Sequence, residues 1–142
     1  MPNKGWLYWA AGLSVGALLA HGIDAPDHLR EWWVYGTIFI IAGSFQLFYG
    51  LALLVLPWRY DETGGIRADA GRFGRPWFMR GIALSAFVIL VYIVTRTTGL
   101  PFLSRDAVAE PVTVLSLVPI VTNAALIGAL SKLLTDAKQS GV

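Results

Sequence analysis

His21, His28 and Glu110 are the residues whose chemistry stands out in this 142-residue chain. The stretch His21–Trp33, HGIDAPDHLREWW, holds both histidines of the protein and three of its nine carboxylates, Asp24, Asp27 and Glu31. Neutral imidazole and carboxylate are the usual ligands of copper, zinc and non-haem iron. Two histidines with Glu110, brought together from three helix ends, would make such a site, with Asp24 and Glu31 as further ligands. A competing reading has both histidines hydrogen-bonded in the headgroup region and Arg96 paired with Glu31 or Glu110. A proton or quinone role at the same place is a third. Capping explains part of the cluster: Asp24 suits an N-cap, Pro26 a first helical turn, and Asp27 the positive end of a helix dipole. No Ser-His-Asp arrangement with a workable geometry is present.

The elements that must position these groups are apolar. The chain is 56% hydrophobic and 14% charged, with mean hydropathy +0.60. Charges in hydrocarbon are costly, and this balance is what a bilayer-embedded chain needs. Cysteine is absent, which excludes disulfides and thiolate metal sites. The pI near 9.2 does not point to nucleic acid, because the basic residues fall in loops at helix ends. A membrane-spanning helix needs about 20 mostly apolar residues, and four stretches qualify. They predict helices over about 6–23, 25–56, 77–98 and 112–134. The first is read as a retained helix and not a signal peptide, since no small-residue cleavage site follows it. Alternation of period two is missing, and backbone groups in lipid must be satisfied within a segment. The expected fold is therefore all-α, a single four-helix transmembrane bundle of up-down-up-down topology.

All six tryptophans, Trp6, Trp9, Trp32, Trp33, Trp58 and Trp77, fall at segment ends, where amphipathic rings meet headgroups. Four crossings put the chain ends and the 57–77 loop on one side. That side carries eight of the eleven basic residues; Arg30, Arg96 and Arg105 lie on the other. The positive-inside rule then places both termini in the cytoplasm of an inner or plasma membrane protein. The turn at 21–33 and the loop at 99–111 face outward. The 57–77 loop, Gly-rich and of mixed charge, reads as a connector that could touch anionic lipid. Its GGIRADAG piece lacks the Gly-Lys-Ser/Thr ending of a phosphate loop.

Small residues mark where membrane helices approach closely. Gly36, Gly43 and Gly50 form one row, Gly12, Gly16 and Ala20 another, and Ala124 with Gly128 a third. One of these rows could serve another subunit. His28, Glu31, Tyr35, Phe39, Ala42 and Gln46 share one arc of the expected second helix. Gln46, near mid-membrane, needs an amide partner, and Asn123 on the fourth helix, sharing a face with Ser116, is the natural one. On a regular first helix His21 points away from Gly12 and Gly16. The glycine row and the histidine cannot face the same neighbour.

HLREWWVYG (28–36), YIVTRTTGLPF (92–102) and Glu110-Pro111-Val112 together resemble a family of small four-helix bacterial membrane proteins, over most of residues 20–125. The resemblance implies the same four-helix build and brings no established activity. In that family's pattern the fourth helix carries acidic residues past the Glu-Pro, where this chain has Ser116 and Asn123. A cation site built on those acids would be incomplete here, with His21, His28 and Glu110 retained.

Three functions compete. The first is an accessory or stabilising subunit of a larger membrane complex, which fits the short loops and the small-residue seams. The second is a membrane protein binding a transition metal or cofactor at the outer turn. The third is a small dimeric transporter, which would want a mid-membrane carboxylate that the sequence does not supply. The expected partners are the lipid bilayer and other membrane subunits or a second copy, with no nucleic acid.

Overall fold

A computed structural model describes residues 4–31, 33–62, 74–97 and 114–139. Within these helices the description extends to the backbone alone at Asp24, Asp27, His28, Glu31, Tyr35 and residues 57–62, 114, 115 and 137–139. The elements are α1 (Lys4–Glu31), α2 (Trp33–Glu62), α3 (Arg75–Thr97) and α4 (Val114–Gln139). Each contains a span long and apolar enough to cross a membrane: Lys4–Ile23, Gly36–Leu56, Arg75–Thr97 and Ser116–Asp136. At about 1.5 Å of rise per residue, spans of this length match a hydrocarbon core of about 30 Å.

The surface agrees with lipid as the solvent. Trp9, Leu19, Phe45, Phe48 and Val121 are each at least 60% exposed. Monomeric soluble proteins rarely leave such apolar surface uncovered. Hydroxyls on the outer faces are satisfied within their own helices. Thr37 donates to the Trp33 carbonyl, Ser44 to Ile40, Thr97 to Ile93, Thr122 to Val118 and Thr135 to Ser131, at 2.7–2.9 Å. In hydrocarbon, with no water to meet a hydroxyl, a bond to the preceding turn is the local solution.

One boundary departs from expectation. The first helix was expected to end near Ile23 and the second to begin at 25, with Asp24 as its cap. Instead α1 continues through Pro26 to Glu31, and α2 begins at Trp33. Pro26 has no N–H and deprives the Gly22 carbonyl of its helical partner. That carbonyl lies at the edge of the apolar span, next to Ile23. There, headgroups and water can satisfy it, so the proline is tolerated. Ala25, Leu29, Arg30 and Glu31 are all good helix formers and carry the helix on. His28 and Glu31 therefore belong to α1, and the arc expected on the second helix is split between two elements. Phe39, Ala42 and Gln46 keep their shared face on α2.

Packing is uneven. α1 lies along α2 and also against α4, and α3 lies against α4, while α2 and α3 have little backbone contact with each other. The main apolar core gathers Leu7, Leu53, Leu56, Phe78, Leu130 and Leu133 with their neighbours. Here the Tyr49 side chain reaches from α2 to α3. The Tyr49 ring stacks on Trp77 at 5.2 Å, and its hydroxyl donates to the Trp77 carbonyl at 3.1 Å. Gly81 makes the crossing possible: a Cβ there would collide with the Tyr49 hydroxyl and with Leu130.

The three small-residue rows have different fates. Gly36, Gly43 and Gly50 are all buried, facing Leu29, then Leu18 and His21, then Ala11, Ser14 and Val15 of α1. Gly12 is exposed and Gly16 half-buried, and a Cβ on either would meet nothing within 4 Å. Ala124 and Gly128 are likewise exposed, with open space over Gly128. His21, pointing the other way from Gly12 and Gly16, is 3% exposed. The geometric conflict read from the sequence resolves with the histidine inside and the glycines outside.

Candidate functional site

Of the residues expected to ligate a metal, only His21 has a described side chain. Those of Asp24, His28, Glu31 and Glu110 lie outside the described residues. The backbone still alters the expected arrangement, because His21 and His28 sit on one continuous helix and not on two helix ends. Seven residues are two turns, about 10.5 Å of rise, whereas histidines on one helix that share a metal use the i, i+4 spacing. Among the described residues no three His, Asp or Glu side chains converge.

What the described residues do bring together is a polar layer in the middle of the bundle. Each helix contributes one side chain: Ser14, Gln46, Ser85 and Asn123, each at most 1% exposed. Each lies near the midpoint of its apolar span. The Ser14 hydroxyl donates to the Gln46 carbonyl at 2.6 Å, tying α1 to α2. Gln46 Nε2 donates to Asn123 Oδ1 at 2.7 Å, tying α2 to α4. Asn123 Nδ2 donates to the Pro119 carbonyl at 2.8 Å within α4. The Gln46–Asn123 pair is the one expected from the sequence. Ser14 and Ser85 were not singled out. Their signal was position: a serine at the centre of an apolar span has no solvent to turn to. Two atoms of the layer, Gln46 Oε1 and Ser85 Oγ, are buried and accept or donate no bond among the described residues.

One turn from this layer, toward the Phe39 and Tyr92 end, an apolar cleft opens. Its walls are Phe39 and Ala42 of α2, Phe87 and Tyr92 of α3, and Ile120 of α4, with His21 of α1 among them. The His21 ring meets Phe39 edge-on at 5.5 Å between centroids. Tyr92 shares a hydrogen bond with Ser116 across α3 and α4 at 3.0 Å. The Arg96 guanidinium, one turn further along α3, lies over the Tyr92 ring at 5.1 Å. Arg96 therefore takes part in a structural cluster at this end.

No protein-family model, curated protein or solved structure matches this chain.

Proposed function

We propose that this chain is a small multi-pass protein of the inner or plasma membrane that serves as an accessory or stabilising subunit, gripping a larger membrane complex through its helix faces. One observation carries this reading: two of its three small-residue rows keep glycines with open space over them, although Ala20 at the end of the α1 row is buried. The α2 row is consumed against α1. Gly12 and Gly16 on α1, and Ala124 and Gly128 on α4, present close-approach surfaces to the outside. In lipid, such small-residue rows are where helices of another chain pack.

The helices alternate in direction in this reading, with both chain ends in the cytoplasm. Support comes from the order of contacts, since rising positions on α2 (Gly36, Gly43, Gly50) meet falling positions on α1 (Leu29, Leu18, Ala11). The distribution of lysine and arginine supports the orientation.

The test is purification of a tagged chain from its native membrane in mild detergent. A membrane polypeptide in fixed proportion should accompany it. Gly12→Leu with Gly128→Leu should release that partner, while the chain's own unfolding free energy changes by less than about 0.5 kcal/mol, as for substitutions that touch nothing in the fold. A chain that purifies alone, or a partner retained by the double variant, would overturn the proposal.

A further inference from the structure

We propose that the mid-membrane polar layer is a binding site for one internal water molecule, held between Gln46 Oε1 of α2 and Ser85 Oγ of α3. Each helix brings one polar side chain to this layer, and three of the four are already joined. Ser14 donates to the Gln46 carbonyl, and Gln46 Nε2 donates to Asn123. What remains is one acceptor and one hydroxyl, both buried and both without a partner among the described residues. Buried polar groups in folded proteins are nearly always satisfied, by protein or by ordered water.

Ser85 differs from the hydroxyls on the outer faces. Thr37, Ser44, Thr97, Thr122 and Thr135 each donate to a carbonyl of their own helix. Ser85 is 1% exposed and makes no such bond. Contacts on either side place it opposite Gln46. One turn away in one direction, Tyr49 of α2 packs on Gly81 of α3. One turn away in the other, Ala42 of α2 and Val88 of α3 line the same cleft. Gln46 lies between Ala42 and Tyr49, and Ser85 between Gly81 and Val88, each at the spacing of one helical face. The two polar residues therefore share a level and face each other. The backbones of α2 and α3 have little contact, and a water extends the reach of a short serine by one more hydrogen bond, about 2.8 Å.

Water also fits the chemistry. It donates to Gln46 Oε1 and accepts the Ser85 proton in the same position. Buried waters typically make about three bonds of this kind to groups that lack other partners. A cation fits poorly, because Ser14, Gln46, Ser85 and Asn123 are all neutral and an uncompensated charge at mid-membrane is costly. A water needs about 10–15 Å³. The cleft that begins one turn away, at Ala42 and Val88, has about 30 Å³, so the packing beside the layer is loose. The lining of that cleft is almost wholly apolar, which puts the water in the layer and not in the cleft.

The experiment uses the whole isotopically labelled chain in phosphatidylcholine nanodiscs. Magnetisation transfer from water to the Gln46 side-chain amide is measured by NMR, with the amide assigned through its loss in Gln46→Leu. A cross-peak of dipolar sign is expected in the parent chain. Ser85→Ala should abolish it and lower the folding equilibrium constant about two- to tenfold, the worth of one hydrogen bond. A thermal melt checks that the variant folds. If it does not, Ser85→Cys keeps the size, offers only a weak donor, and should also lose the cross-peak. Absence of the cross-peak in folded parent chain would overturn the proposal, as a direct Ser85–Gln46 bond would give. A cross-peak that survives the loss of the Ser85 hydroxyl would overturn it too. The measurement needs no partner chain, so the water site and the accessory role succeed or fail separately.

Discussion

Gly50→Leu should destabilise the bundle by about 3 kcal/mol, at the upper end of the usual cost of overpacking a filled interior. A Cβ on Gly50 would lie 3.2 Å from the Ala11 carbonyl oxygen, 3.2 Å from Ser14 Cβ and 3.2 Å from Val15 Cγ2. The first two cannot swing aside, because one is backbone and the other is fixed to it. A leucine must therefore push α2 off α1, and α1 is the helix that touches both α2 and α4. The separation would also stretch the Ser14 bond to the Gln46 carbonyl, now 2.6 Å long, one turn away on α2. Unfolding in mixed micelles of rising SDS fraction measures the loss. Gly12→Leu in the same assay is the control, since open space surrounds that position. Equal losses for the two variants would refute the assignment of the α2 row to the inside.

Asn123→Leu should cost about 1–3 kcal/mol, the penalty for leaving a buried polar group without its partner. The substitution removes the acceptor of Gln46 Nε2. Gln46 Oε1 already has no partner among the described residues, so the amide would have no protein partner at mid-membrane. Gln46→Leu strands Asn123 Oδ1 in the same way, although Asn123 Nδ2 keeps the Pro119 carbonyl. With both replaced, neither amide remains to be stranded. The double variant should be more stable than the sum of the single losses predicts, by about 0.6–1.7 kcal/mol, the range found for interhelical hydrogen bonds in lipid. Additive losses would mean that the two amides do not act as a pair.

Much of this architecture is legible in the sequence because lipid imposes a simple length rule. Four apolar stretches of bilayer length gave four helices, with α3 within two residues of its expected ends at both sides. The Gln46–Asn123 bond was legible for the same reason: an amide at the centre of an apolar span has nowhere else to go. The α1–α2 boundary was not. Asp24 and Pro26 suit the start of a helix, and they are equally tolerable inside one at the membrane edge, where water can serve the carbonyl the proline orphans. Local chemistry could not separate the two. That choice carried the expected site with it, since a first helix running on to Glu31 takes His28 and Glu31 onto α1. The inward direction of His21 followed from helical arithmetic once Gly12 and Gly16 were outside. The cleft had no signature at all. Its walls are mostly ordinary apolar residues drawn from all four helices.

Four crossings of the bilayer in alternating directions can be checked directly, because the chain contains no cysteine. Single cysteines placed at Asn3, Gly65 and Ser104 can be probed in sealed, right-side-out vesicles with a membrane-impermeant maleimide. Labelling at position 104 alone, with positions 3 and 65 reached only after the membrane is opened, is the predicted result. Labelling of 3 or 65 from outside, or protection of 104 together with them, would contradict it.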